Sequence, residues 1–431
     1  MTTWIAAAGE AAELEQSCPV GSYREAFHVP SAPSGVGGEA AYLAGNSLGL
    51  QPRSTRETVL TELDRWAEEA VRGWDSGPSG WLAQDDSALS SMARVVGAHP
   101  DEIAVTGTLT VDLHLLMAGF YQPVSGRDRI VIEDRSFPSD SHAVQSHVAW
   151  HGLDPERVVV RLAPRPGEDC LRTADVLDFL GREGDSVAML LFGGVNYLTG
   201  ELMDIPAITA AGHQAGAVVC WDLAHAAGNV ELALHDWDVD VAAWCTYKYL
   251  NSGPGATAAM FVHRRHHGSQ RPRLAGWWGT APADRFDMAP TFVPAAGAAG
   301  WAVSTTPVLS SAPVRTAVAL HDEVGMPALR ERSQRLTAYL DRLLHALEAT
   351  APIEVITPSE PAHRGAQLSA RLLPEAPLDA EAVTDALWQR HGVVGDARRP
   401  DIVRLAPAPL YSTFEDCRRA ASGLEAELAR R

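Results

Sequence analysis

A succession of short apolar runs, separated by stretches long enough for a helix, constrains this chain more than any other feature. The runs fall at Arg129–Glu133, Val158–Leu162, Ala188–Phe192, Val218–Trp221 and Val239–Trp244, and a further one, Ala258–His263, returns. Strands that alternate with helices in this way predict an α/β fold on a mostly parallel sheet. With 431 residues, 46% of them hydrophobic, the chain can bury a large core and has the length of about two or three domains. Beyond a Pro- and Ala-rich crossing, Pro290 to Gly300, the order changes. Helices are expected over Ala312–Gly325 and Pro327–Leu347, then strands Glu354–Ile356 and Gln367–Leu372, helix Ala380–His391, strand Ile402–Leu405 and helix Phe414–Ala429. That is a smaller α+β domain. The expected division is an N-terminal arm over 1–53, a large domain over 54–310 and a small C-terminal domain over 311–431.

Two of the strands end in groups with chemistry. Val218–Trp221 runs into Asp222, and Val239–Trp244 runs into Cys245-Thr246-Tyr247-Lys248. Ligands of open α/β sheets bind beyond the carboxyl ends of the strands, so Asp222 and Lys248 arrive at one edge. An acid and a lysine there suit pyridoxal phosphate (PLP). The amine condenses with the cofactor aldehyde, and the carboxylate keeps the ring nitrogen protonated and the ring electron-poor. A lone lysine after a strand is most often a solvated loop charge, and a lone aspartate a turn or cap residue. The setting argues otherwise. Lys248 stands between Tyr247 and Tyr249, and Asn251-Ser252-Gly253-Pro254-Gly255 follows, where glycines let backbone approach a ligand.

Composition excludes several classes. A net charge of −19 argues against a nucleic-acid or anionic-membrane partner, which would need a basic face. No apolar run approaches the roughly 18 residues of a membrane helix. The start, MTTWIAAAGEAAELEQS, carries acids and no basic flank, so it does not read as a signal peptide and the expectation is a cytoplasmic protein. Cys18, Cys170, Cys220, Cys245 and Cys417 are odd in number, without a C-x-x-C pair, and are read as reduced packing residues.

Other motifs carry two readings each. Gly45-Asn46-Ser47-Leu48-Gly49 matches G-x-S-x-G, the hydrolase nucleophile elbow, but Gln51-Pro52 interrupts the helix that an elbow requires. Ser54-Thr55-Arg56-Glu57 reads as a capping box opening a helix to about Arg72. Thr108-Leu109-Thr110 precedes an apolar helix, Val111 to Phe120, so its amides and hydroxyl suit either a phosphate or an ordinary N-cap. Phe137 and Asp140 are a core aromatic and a helix cap, or parts of a site. His263, His266 and His267 lie in a basic turn with no matched ligand set and read as a solvated loop rather than a metal site. Arg404 stands among apolar neighbours, where a charge is costly without a partner. A substrate carboxylate gripped by the guanidinium fork would supply one; an edge-strand arginine reaching solvent is the alternative.

WDLAHAAGN followed by CTYKYLNSGPG resembles the kynureninases, PLP enzymes that cleave kynurenine to anthranilate and alanine. YLAGNSLGLQP, TLTVDLHLL, RSFPSD, GVNYLTGE, GWWG, PVLSSAPVR, RGAQLS and RLAPAPLY agree in order and spacing. The resemblance spans the chain from about Tyr42 to the last helix. It implies a PLP-dependent fold type I architecture, a large domain on a mostly parallel sheet of seven strands plus a smaller α+β domain. It also implies a small-molecule amino-acid substrate and a homodimer with its site at the interface. Lys248 would hold the cofactor and Asp222 its ring nitrogen. Leu109, Thr110, His225 and Tyr247 would reach the phosphate, with Trp277 and Thr305 contributing cofactor contacts. Phe137 would stack on the ring, with Asp140 near it. Arg404, Asn46, Ser47, Trp74, Thr280 and Thr305 would contact substrate.

By that likeness Lys248 removes the α-proton, water adds to the γ-carbonyl, the Cβ–Cγ bond breaks, and Tyr247 is the candidate acid for the carbon that leaves as alanine. Two departures stand out. Gly193 lies where a hydroxyl residue is expected, and Thr280 where the animal enzymes have histidine. Trp74 and Thr305 resemble the bacterial subset, which prefers kynurenine itself. A hydrolase of a ring-substituted kynurenine, another PLP lyase of the same fold, and a scaffold without cofactor remain as alternatives; the intact Lys248, Asp222 and Arg404 speak against the last.

Overall fold

The structure is a computed structural model that describes residues 4–76, 80–82 and 86–429; Met1–Thr3, where the reading of the chain's start begins, lie outside them. The chain forms two compact units. One comprises Met1–Arg53, Val195–Leu202 and Val324–Arg431, the other Ser54–Gly194 and Met203–Glu323.

The second unit is built on a seven-stranded sheet. Its strands in spatial order are Ile103–Val105, Ala259–Val262, Val241–Trp244, Val218–Asp222, Val187–Gly193, Arg129–Glu133 and Val159–Leu162. All neighbours pair parallel except Ala259–Val262, which runs antiparallel to both of its partners. A parallel sheet covered on both faces needs strands that are apolar throughout, and Val187–Phe192 and Val241–Trp244 are buried at every position. Helices Leu109–Phe120 and Pro138–Trp150 pack on this sheet through Leu113, Leu116, Phe120, Val144 and Val148. The expected strands are present, shifted by a residue or two. Val158 closes a short helix, Pro155–Val158, so that strand begins at Val159.

Two local expectations are corrected. The helix after Ser54 spans Thr55–Glu69, and Ser54 itself takes a helical conformation with no side-chain cap, so the capping box does not form. The HRRHH turn is packed rather than solvated. His263 and His266 are 7% and 8% exposed, and His266 Nε2 lies 2.7 Å from the buried carboxylate of Asp240. Burial alone would raise the Asp240 carboxyl, but hydrogen bonds with His213, His266 and the Val219 N–H hold it below the usual carboxylate range.

The first unit carries a four-stranded antiparallel sheet in the order Ile353–Val355, Leu368–Leu372, Ile402–Leu405, Asp396–Arg398. Helices Met326–Leu347, Ala380–His391 and Phe414–Leu428 cover it through Leu340, Leu344, Leu387, Phe414 and Leu424. Ile402–Leu405 is interior because Asp396–Arg398, not expected from the sequence, takes the edge. The Arg404 side chain is therefore fully buried and does not reach solvent.

Candidate active site

In the second unit, parallel pairing brings the carboxyl ends of neighbouring strands together. Gly193 stands opposite Asp222, and Asp222 opposite Ala243. The chain leaves Trp244 through Cys245 to Lys248, whose Nζ lies 3.0 Å from His225 Nε2 and 5.8 Å from the centre of the Phe137 ring. His225 is carried there by the turn that follows Asp222, closed by the Ala224 N–H donating to Asp222 Oδ1 at 2.7 Å.

The floor of this cluster is acidic. Glu133, Asp140 and Asp222 are all buried. Burial pushes the Asp222 carboxyl up while Lys248 pulls it down. Burial, with Asp222 and Glu133 beside it, raises Asp140 well above the ordinary value. The two carboxyls thus press on one another in a buried setting, with Lys248 as the opposing charge. Asp140 Oδ1 is a buried oxygen without a hydrogen-bond partner among the described residues. A protonated ring nitrogen is a cation of the kind such a floor accepts. The Gly193 N–H, in place of the expected hydroxyl, donates to Glu133 Oε1 at 2.9 Å.

Thr108, rather than Thr110, is the N-cap of helix Leu109–Phe120, and its side chain makes no capping bond. The first-turn amides at Leu109 and Thr110 are thus left as a ready anion cradle. The Thr110 hydroxyl meets the Ser139 hydroxyl at 2.6 Å, which ties the starts of two helices together. Burial, followed by the neighbouring Cys245, raises the Tyr247 phenol well above its ordinary value, so it stays protonated and can act as a donor.

Two of the remaining candidates of this unit, Trp277 and Trp74, have partners of their own. The Trp277 N–H donates to the Arg285 carbonyl at 2.9 Å, and Arg285 in turn donates to the carbonyls of Trp278 and Thr280. Trp74 packs edge-on against Trp81 with ring centres 5.4 Å apart. Thr305 is half-buried. Among the described residues none of these four makes a hydrogen bond or ring contact with Lys248, Asp222 or His225. His99, Glu102 and His235 place possible metal-ligating atoms within 4.8 Å of one another. Glu102 is already committed to the N–H groups of His99 and Arg264 and to His235, which reads as a structural network.

In the first unit Arg404 and Asn46 join one buried network. Arg404 Nε donates to Asp396 Oδ1 at 2.6 Å, Nη2 donates to Asp396 Oδ2, and Nη1 donates to the Tyr197 carbonyl at 2.5 Å. The same carbonyl accepts from Gln367 Nε2 at 2.9 Å, and Asn46 Nδ2 donates to Gln367 Oε1 at 2.8 Å. Ser47 is exposed at the turn beside it, and the chain passes on to strand Gln51–Pro52, not into the helix of an elbow. Asp396, Arg398 and Gln367 join this network without a motif to mark them in the sequence. The sequence carries one further signal. Of its 35 basic residues other than histidine, Lys248 is the only lysine.

Comparison with known proteins gives the family and the fold. Residues 37–370 match the class-V aminotransferase family model, and residues 329–424 the kynureninase C-terminal domain. A protein named kynureninase from Salinispora tropica is 57% identical over 94% of each chain. Kynureninases from Koribacter versatilis and Myxococcus xanthus are each 45% identical, over 97% and 96% of both chains respectively. Among solved structures, a C-DES mutant with glycine covalently linked to its PLP cofactor superposes with a TM-score of 0.75 at 18% identity, covering 90% of this chain and 97% of that one. The cysteine desulfurase CsdA from Escherichia coli gives 0.73 at 17% identity, over 97% and 98%. These two show the fold.

Proposed function

The chain belongs to the kynureninase family, and from that premise we propose how its own residues carry the family's reaction, the PLP-dependent hydrolysis of the Cβ–Cγ bond of L-kynurenine to anthranilate and L-alanine. One observation supports the assignment above the others. The only lysine of the chain follows the sheet strand Val241–Trp244 by four residues and stands beside Phe137 and His225, close to the buried carboxyl pair of Asp140 and Asp222.

Lys248 would hold the cofactor, and Asp222, seconded by Asp140, would face the ring nitrogen. Phe137 would cover the ring. The amides of Leu109 and Thr110, with His225 and Tyr247, would take the phosphate; Trp277 and Thr305 are further cofactor candidates. When bound, PLP supplies the electron sink that stabilises charge at the substrate α-carbon. Once the substrate amine has displaced it from the cofactor, the freed amine of Lys248 would remove the α-proton, and its hydrogen bond with His225 would fix where that amine rests. Water adds to the γ-carbonyl, and the bond to Cβ breaks to leave the aromatic carboxylate. Tyr247, kept protonated by burial, donates a proton to the carbon released as alanine. Arg404 grips the substrate α-carboxylate, Asn46 and Ser47 lie beside that network, and Trp74, Thr280 and Thr305 select the ring.

The protein is further proposed to be a cytoplasmic homodimer. Leu60, Leu63, Trp66 and Val71 lie exposed on and just after one helix, an apolar stripe of the kind that interfaces cover. No helix among the described residues is long and apolar enough to cross a membrane. Product analysis tests the reaction. Incubation with L-kynurenine should yield anthranilate and alanine in equal amounts, and release of any other pair would refute it.

A further inference from the structure

Residue alternation along the small sheet sets an aspartate and two arginines on one face. Asp396 stands directly opposite Arg404 in the neighbouring strand, and Arg404 opposite Ser369 in the next. Arg398, two residues along the edge strand, shares the face of Asp396, and its Nη2 lies 3.2 Å from Asp396 Oδ2. A guanidinium has three edges. In Arg404 the Nε–Nη2 edge is filled by both oxygens of Asp396, and one Nη1 hydrogen goes to the Tyr197 carbonyl. Among the described residues nothing accepts from the outer Nη1/Nη2 edge, which keeps a hydrogen on each nitrogen, the spacing that matches a carboxylate.

We propose that Asp396 is a positioning residue for the reaction. It locks Arg404 so that the outer edge alone is offered to the α-carboxylate of the substrate, and Arg398 neutralises Asp396 so that the full charge of Arg404 remains for that carboxylate. This inference rests on the reading of Arg404 as the substrate-gripping arginine. Its consequence is directional. With one edge available the substrate docks in one register and presents its α-hydrogen in one direction. With two edges available it docks in two, and one of them is unproductive. The crowding of two arginines on one carboxylate has its mark on Arg398, whose guanidinium is pushed down by burial and by Arg404.

The test is steady-state kinetics of Asp396→Asn with PLP bound. The amide keeps the shape of the side chain but sets an NH2 group against an arginine N–H, so the fork must turn. The local charge meanwhile becomes more positive, so substrate is not repelled. The expected result is a fall in kcat of roughly tenfold or more, the scale of a small misplacement of reacting groups, with KM no higher than in the parent and the cofactor absorbance unchanged. The preference for L- over D-alanine as competitive inhibitor should narrow, which a purely structural role would not cause. Asp396→Ala, which frees the edge outright, gives the same test should the Asn variant fail to fold. Parental kcat with a parental enantiomer ratio, or a rise in KM at retained kcat, overturns the proposal. Arg404→Lys is measured alongside. A planar fork cannot be replaced by an ammonium, so its KM should rise at least tenfold, and an unchanged KM there would defeat the reading of Arg404 itself.

Discussion

Asp112 should be a measurable drag on stability, and replacing it with asparagine should remove that drag. The residue sits in the first turn of helix Leu109–Phe120, fully buried, with both carboxyl oxygens lacking hydrogen-bond partners among the described residues. Burial pushes its carboxyl up to about 8. In the unfolded chain an aspartate titrates near 3.9. Below about pH 4 both states are protonated and there is no penalty. As pH rises from there the unfolded chain releases its proton while the folded one keeps it, so folding stability falls by about 1.4 kcal/mol per pH unit until the folded group ionises. By pH 7 the deficit is about 4 kcal/mol. The opposing effect, a negative charge at a helix start, is worth about 0.3–1 kcal/mol and does not change the sign. Part of the gain is returned because the new amide also lacks partners, at about 1–3 kcal/mol. Urea unfolding of PLP-loaded parent and Asp112→Asn at pH 5.5 and 7.5 checks this. The variant's advantage should grow by roughly 2–3 kcal/mol between the two pH values. An advantage that stays constant with pH would refute the claim that Asp112 is buried as a neutral acid.

Three other outcomes follow from the same geometry. Gly107 has φ +56°, and a Cβ there would lie 2.1 Å from Asp112 Oδ1, so Gly107→Ala should cost at least about 1–2 kcal/mol from the left-handed backbone alone. Adding Asp112→Ala should restore part of that loss, and strict additivity of the two changes in urea unfolding would contradict the contact. Tyr247→Phe should slow turnover by roughly 10²-fold or more while cofactor uptake is retained; a parental kcat would remove it as the acid. Kynurenine should be favoured over 3-hydroxykynurenine by roughly ten- to hundredfold in kcat/KM, because the Trp74 indole N–H cannot accept from a ring hydroxyl; the two substrates compared on one preparation decide it.

The strands that position the site were legible because a parallel sheet demands continuous apolar runs, and Val187–Gly193 and Val218–Asp222 supply them with Asp222 at the end of one. Ile103–Val105 escaped notice because three residues are too few for a periodic signal. Asp396–Arg398 escaped because two of its three residues are charged and it runs into Arg399-Pro400, which reads as a loop. That omission hid the Asp396 partner of Arg404, a pairing set by strand register rather than by spacing. The HRRHH turn misled in the opposite direction, since only the fold brings the buried Asp240 to it. Ser54 shows that a capping motif specifies a cap only when its backbone is extended. The strongest site signal needed no fold at all. A chain that uses arginine for every other cation keeps one lysine, and imine chemistry is what an arginine cannot do.

That lysine makes the decisive measurement simple. The PLP-loaded protein is reduced with borohydride, unfolded and weighed intact, then digested and mapped. One phosphopyridoxyl group per chain, located on Lys248 and missing from Lys248→Ala, is the result expected if this residue is the centre of the site. Full activity with no label on Lys248, or a label confined to the terminal amine, would contradict it.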